Sequence, residues 1–458
     1  MDRVAYADPA VIDIVASRFI PVRVDADRRP DVNERYNLDG WPTTALLTPS
    51  GEMLTGTTYL PAAGLRAMLE EVSDAYRTRH EELDARATEM AAARRARRAP
   101  STGSVEPDLS ASEWIARRAV GECDALHGGF GTDGKFLHVA ALRVALDEYL
   151  RTGDRAIRDT VTQTLDAMAD GQIHDAVDGG FFRYAAGRDW TRPHTEKMLD
   201  DQAGLVELYA DAGRALESER YRRIARETMA YVHRTLSNAE PASFFASQAA
   251  DESYYQLSSA EIRRTLSAPV VDRTEFTDLT ARAAVAWLRA GVALEDRAAA
   301  EFGARALDRL VTLTYEPGNG VAHWFDGRPG IRGLLTDQVH AAWALVALHE
   351  ASANPTWSML AEELMRTVMR THWDDAGLGF FDRTSDADTG IGLMADPVKP
   401  LATNCLASRV LARLSRLTGK LDLQEKALDT LRSQTSLYRQ QGLFGAHYAL
   451  AVADVVGS

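Results

Sequence analysis

Cysteine is nearly missing from this chain: 458 residues hold two, Cys123 and Cys405. Their separation excludes a C-x-x-C dithiol and a zinc-type cluster, and reduced thiols are the expectation. Long apolar runs are missing as well. No stretch reaches the roughly 18 residues that a membrane span needs, and the start M-D-R-V-A-Y-A-D-P-A lacks an apolar core of signal-peptide length. No membrane partner and a cytoplasmic location are therefore expected. Positive charge is in deficit, with 52 Lys+Arg against 66 Asp+Glu and a net charge of −14, which argues against nucleic acid as a partner. The basic run at Ala93–Pro100 reads as a solvated helix end beside a linker. No P-loop or dinucleotide fingerprint stands between a strand and a helix, so no cofactor is expected. D-D-Q-A-G from Asp200 lacks the second acidic arm of a D-D-x-x-D motif, so no metal is expected either.

What is present is a repeat. Glycine–aromatic loops recur from Gly128, Gly179, Gly318, Gly377 and Gly442, with a weaker copy, A-S-F-F, from Ala242, which makes six units. A helical pattern follows each, from about Phe136, Pro193, Thr274, Leu334 and Val398, and the last loop opens the final helix. Each unit carries two helical patterns, and a repeat of this length must bury its face on its neighbours. L-L-T-D-Q-V-H-A-A-W-A-L-V-A-L is apolar nearly all round, as an inner helix would be. Y-R-R-I-A-R-E-T-M-A-Y-V-H-R-T-L is amphipathic, as an outer one would be. Six inner–outer pairs point to a mainly α chain built on an (α/α)6 toroid over 109–458; an open helical solenoid is the alternative.

Residues 1–98 follow another grammar. Short β-type runs at Arg18–Asp25, Thr43–Pro49 and Glu52–Gly56 precede a long helical pattern from Pro61 to about Arg98. The breaker-rich stretch at 99–108 reads as a linker.

The run D-P-A-V-I-D-I-V-A-S-R-F-I-P-V-R-V-D through W-P-T-T-A-L-L-T-P-S-G resembles the thioredoxin-like domain of the spermatogenesis-associated protein 20 family, whose bacterial members are labelled DUF255. G-G-F-G-T-D-G-K-F, the stretch ending D-G-G-F-F-R-Y, and W-T-R-P-H-T-E-K-M-L-D-D-Q-A resemble that family's landmarks too. The resemblance implies an α/β thioredoxin-like module followed by a six-hairpin glycosidase-like toroid. It also implies a W-C-H-V-M motif whose final Met aligns with Met1, so the module is expected to be truncated, with Phe19–Val24 losing a strand neighbour and with no thiol redox activity. Trp41-Pro42-Thr43 resembles the loop where thioredoxin folds keep a cis-proline. In the insert Phe244–Leu266 an acidic family position is Ala249, leaving Asp251.

A ring of parallel inner helices opens all six N-termini on one face. Lys135, His138, His194, Glu196, Lys197, Glu275, Asp278, Asp337, His340, Lys399, Asn404 and His447 fall at or near those starts. Aromatic walls with a few convergent titratable groups suit a small polyhydroxylated ligand, so the expected partner is a sugar. Relatives of the six-hairpin type include sugar 2-epimerases that use paired histidines. The resemblance therefore implies epimerase- or isomerase-like acid/base chemistry by His194 and His340, with Glu196 in support. A glycosidase would use carboxylates such as Asp337 with Asp201 or Glu196. Arg183, Tyr184, Trp190, Arg192, Lys197, Trp324 and Phe381 are the expected ligand contacts. The alternatives are that His194 locks a loop, that Glu196, Lys197 and Asp200 form helix-surface pairs, and that the whole is a non-catalytic ligand-binding or scaffold protein with a degenerate thioredoxin-like module. The sequence does not give the oligomeric state.

Overall fold

The computed structural model describes residues 1, 4–96, 106–384 and 390–457, and the chain divides into two compact units. Most of the expected linker, from 99 to 105, lies outside the described residues. No described helix is long and apolar enough to cross a membrane.

The first unit comprises Met1–Thr102 with Phe381–Val398. Helix α1 (Pro9–Arg18) starts where Asp8 accepts from the amides of Ala10 and Val11, with Pro9 in the first turn. Helix α2 (Pro30–Tyr36) leads through the cis Trp41–Pro42 bond to the antiparallel pair β1 (Thr44–Leu47) and β2 (Met53–Thr57). Helix α3 (Ala62–Ala96) follows, with Arg79 off helical geometry inside it. Ala5, Val11, Leu46, Leu65 and Leu69 form the core of this unit. The β-type run expected at Arg18–Asp25 is not a strand. Ile20 and Val22 are 93% and 79% exposed, and the described sheet of this unit has two strands only.

The segment Phe381–Val398 is fastened inside this unit by ion pairs, the Arg35–Asp382 pair largely buried and the Arg94 pairs half-buried. Arg35 donates to both Asp382 oxygens at 2.7 and 3.0 Å and to the Asp396 carbonyl. Arg94 bridges Glu52 at 2.6 Å and Asp396 at 3.0 Å. Nothing in the repeat pattern separates this stretch from its toroid neighbours, and Phe381 goes with it.

The second unit is an (α/α)6 toroid. Its inner helices are α5 (Val139–Thr152), α7 (Leu199–Ala215), α11 (Thr277–Ala293), α13 (Leu335–Ser352), α15 (Leu401–Thr418) and α17 (Ala446–Val456). Each packs on the next, and α17 returns to α5, so the ring is closed and the open solenoid is excluded. The outer helices are α4 (Ser110–Glu122), α6 (Arg155–Asp170), α8 (Glu219–Thr235), α12 (Arg297–Thr314), α14 (Pro355–Thr371) and α16 (Leu421–Gln434). Two short helices, α9 (Glu252–Tyr255) and α10 (Ala260–Arg263), sit in the insert between α8 and α11.

The inner helices start about one to six residues later than their patterns suggest, and before α5, α7 and α11 short strands use up those residues. Pro193–His194 pairs with Tyr184–Ala185, and Lys197–Met198 pairs with Ser247–Gln248. Helix α7 therefore begins at Leu199 rather than Pro193.

Candidate functional site

Repeated hydrogen-bonded locks hold the loops that surround the inner-helix N-termini. In the first, Asp124 accepts from the Leu126 amide and meets the Lys135 ammonium at 3.1 Å, while that ammonium also donates to the Gly131 carbonyl. Asp175 and Lys197 repeat this at 2.8 Å, as do Asp374 and Lys399 at 2.6 Å. A side-chain amide in the following inner helix ties down three of the loops, two of which also hold such a pair. Gln202 makes two 2.8 Å bonds to the backbone of Phe181, Gln338 does the same to Val321, and Asn404 binds both backbone groups of Phe380. Gly180 sits at φ 75°, and a Cβ there would lie 2.5 Å from the Tyr231 ring and 2.9 Å from the Gln202 oxygen. Only glycine fits this approach.

These locks reassign several expected ligand contacts. Lys197 is fully buried, bonded to Asp175 and the Gly179 carbonyl, and surrounded by the rings of Phe182, Tyr231 and Tyr255 at 5.0, 4.2 and 5.0 Å. Burial pulls its ammonium down to about 8 against the opposing pull of Asp175. Arg263, delivered by α10, adds a second cation to Asp175 at 2.8 and 2.9 Å. Lys197 thus belongs to the wall. Lys135, Lys399 and Asn404 are wall residues for the same reason. Trp190 is buried at φ 63° and donates its indole N–H to the His127 carbonyl, which makes it a packing wedge. Trp324 sits half-buried in a strand pair opposite Phe276.

His194 is also not where its spacing suggests. It lies on a strand before α7, exposed, with its ring stacked 5.1 Å from Tyr184, which in turn stacks 5.4 Å from Phe136. These three residues face each other across one three-stranded sheet, a cross-strand ladder. The first turn of α7 carries Asp200 and Asp201 instead. Glu196 accepts from Arg183 at 2.8 Å, and the guanidinium of the exposed Arg192 donates to the Ala186 carbonyl at 3.3 Å.

What the first two turns of the inner helices do bring together is Asp201 on α7, Asp278 and Arg282 on α11, His340 on α13 and His447 on α17. Arg282 is exposed and makes no hydrogen bond or ion pair among the described residues, yet its charge acts on all four of the others. The Nδ1 of His340 lies 2.8 Å from the Thr336 carbonyl and 3.2 Å from the Thr336 hydroxyl. Burial and then Arg282 pull His340 down to about 3, and burial, Arg282 and Arg409 pull His447 down to about 4. Both imidazoles are neutral at pH 7. Burial and the adjacent Asp200 push Asp201 well above the ordinary carboxylate range. Burial would raise Asp278 too, but His323, Arg282 and His340 outweigh it and hold it below its ordinary value.

Asp337 lies behind this group. It is fully buried, contacts His323 Nδ1 at 2.9 and 3.0 Å, and accepts from the Asp278 amide, so it fastens a hairpin to α11. Asp278, His323 and Asp337 each bring one donor atom within 4.8 Å of the others. Their hydrogen bonds account for that spacing, and no metal is assigned to them. About 9–15 Å further along α7, Glu207 and Asp211 pair with Arg289 and Arg143. Arg409 and Arg413 stack on Trp343 at 4.5 and 4.4 Å, with Arg409 bound to Asp454 at 2.6 Å. This ionic belt spans the inner helices at greater depth.

Sequence reasoning placed Asp278 and His447 at helix starts but did not select them, and it passed over Arg282. A lone arginine in T-D-L-T-A-R-A-A-V-A-W-L, surrounded by small apolar residues, was the available signal.

Comparison with known proteins agrees with this architecture. Residues 1–94 match the family described as "Thioredox_DsbH: Protein of unknown function, DUF255". Human spermatogenesis-associated protein 20 is 25% identical over an alignment covering 96% of this chain and 72% of that protein. The mouse protein is 30% identical over 60% of this chain, an alignment that spans only 39% of its own length. Among solved structures, a sugar epimerase from a ruminal bacterium superposes with a TM-score of 0.61 at 12% identity, covering 76% of this chain and 99% of that one. Cellobiose 2-epimerase from Spirochaeta thermophila gives 0.62 at 16% identity, covering 76% and 95%. At such identities the likeness shows the fold alone. The DUF255 match over residues 1–94 and the alignment along nearly the whole chain make this chain similar to spermatogenesis-associated protein 20, with a thioredoxin-like region followed by a toroid of the fold seen in these epimerases.

Proposed function

We propose that the toroid mouth carries out proton transfer next to the carbonyl of a sugar, as an epimerase or isomerase does. The observation that carries this is the pair of neutral imidazoles, His340 and His447, beside the unpaired guanidinium of Arg282. His340 keeps its proton on Nδ1 for the Thr336 carbonyl, which leaves the Nε2 lone pair as the base. It takes the proton from C2 of an open-chain aldose, and the electrons move onto O1 to give an enediolate. Arg282 stabilises that oxyanion, a donor placed where charge develops. Return of the proton to C1, with the O2 proton passing to O1, gives the ketose; a solvent proton relayed through His447 to the opposite face of C2, while His340 gives its proton back to solvent, gives the epimer. The histidine pair is thus His340 with His447, not with His194.

The solved structures of similar fold include a sugar epimerase, a D-mannose isomerase and a cellobiose 2-epimerase, which supports the substrate class. The test is product analysis by NMR after incubation with D-glucose, D-mannose, D-fructose and cellobiose. Conversion of at least one aldose to its epimer or ketose is expected, and unchanged sugars throughout would refute the reading.

A further inference from the structure

An aldose in water is almost entirely a cyclic hemiacetal, and its C2 proton is not acidic until C1 becomes a carbonyl. The reaction above, on which this inference rests, therefore needs a ring-opening step. Opening requires an acid at the ring oxygen and a base at the anomeric hydroxyl, both within reach of one sugar.

Two carboxyl groups stand in the first turns of α7 and α11, neighbours in the inner ring, and both sense Arg282 one turn deeper on α11. They are held differently. Asp278 is fixed, with one oxygen accepting from the Leu279 amide at 2.9 Å and the other near the Thr336 hydroxyl at 3.5 Å, beside His340. Asp201 makes no hydrogen bond among the described residues. Its acidic neighbours are Asp200 and Glu196, the latter already taken by Arg183. A hydrogen-bonded carboxyl held below its ordinary range and an unbonded one pushed well above it by burial and Asp200 thus start two adjacent inner helices, the division of roles that acid–base pairs use.

We propose that Asp201 and Asp278 open the pyranose ring of a reducing sugar, Asp201 as the acid on the ring oxygen and Asp278 as the base on the anomeric hydroxyl. Asp278 takes the O1 proton, the O1 electrons form the C1=O1 bond, the C1–O5 bond breaks onto O5, and Asp201 supplies the proton to O5. The two carboxyls exchange protonation states, and ring closure on the product reverses the exchange. No oxidant or co-reactant is consumed. The substrate class is an aldose with a free anomeric hydroxyl, and sugars blocked at C1 are excluded.

Anomer interconversion reads this step apart from chemistry at C2. Polarimetry or NMR magnetisation transfer on D-glucose and D-mannose should show the wild type speeding α-to-β exchange at least tenfold over buffer. Asp201→Asn and Asp278→Asn should each lose tenfold or more of that gain, with circular dichroism melting checked for each. Asp201→Glu, which keeps the acid, should regain part of it even if one of the asparagine variants fails to fold. Wild-type exchange at the buffer rate, or Asp201→Asn indistinguishable from wild type, would overturn the assignment. So would wild-type hydrolysis of nitrophenyl glycosides that Asp201→Asn abolishes, since it would move the acid to the exocyclic oxygen. Anomer exchange that depends on Asp201 without any exchange at C2 would uphold ring opening and refute the epimerase reading instead.

Discussion

His340 Nδ1 lies 2.8 Å from the carbonyl oxygen of Thr336, one turn earlier on the same helix. A carbonyl only accepts, so the imidazole proton sits on Nδ1 and the tautomer is fixed. The bond that fixes the tautomer also holds the ring in place. Thr336→Val keeps that backbone bond but removes the hydroxyl near both His340 and Asp278. It should lower turnover several-fold without shifting the melting temperature greatly, which paired kinetic and thermal measurements will show.

The depressed histidines set a pH profile. Proton abstraction needs neutral imidazole, so activity limited by these bases should stay level from pH 7 down to about 5. It should then fall as His447 and His340 protonate at about 4 and about 3. A fall centred near 6.5, the ordinary histidine value, would contradict this placement. Stability has the same sign. The folded state binds these protons less readily than the unfolded chain, so their contribution is full above about 6.5 and is lost as pH falls toward 4 and 3. Denaturant titrations between pH 7 and 4 should show that loss.

Lys197 distinguishes a wall residue from a ligand contact. Lys197→Met removes one partner of a buried ion pair and should cost about 3 kcal/mol or more, although Arg263 still faces Asp175. Urea unfolding measures this. Unaltered stability with weakened sugar binding would return Lys197 to the mouth.

His194 should tolerate change. In an exposed cross-strand ladder its loss is worth about 0.2–1 kcal/mol, and His194→Ala should turn over substrate within twofold of wild type. Abolished turnover with an intact fold would restore it to the catalytic group.

The toroid was legible because its signals are long. Helices such as α8 and α12 carry an apolar stripe over four turns or more, and the apolar, small-residue content of α13 marks it as an inner helix. The start of α7 was not legible, because two-residue strands such as Pro193–His194 and Lys197–Met198 have no period to read. Proline suits a helix start as well as it suits this strand, and the six-residue displacement turned Lys197 from mouth to wall. Asp201 was found because it stays in the first turn under either start. Arg282 escaped because its significance lies in having no partner, which only coordinates reveal. The transfer of Phe381–Val398 to the first unit depends on Arg35 and Arg94, more than 280 residues away in sequence, a pairing that no local pattern encodes.

The most direct test follows the C2 proton itself. An aldose that the wild type converts, incubated in D2O, should lose its C2–H signal in the proton NMR spectrum as deuterium enters. His340→Gln, folded to the same melting temperature, should slow that loss about 10²-fold or more. Deuterium entering at the wild-type rate in His340→Gln, or never entering with the wild type, would contradict the assignment of His340 as the base.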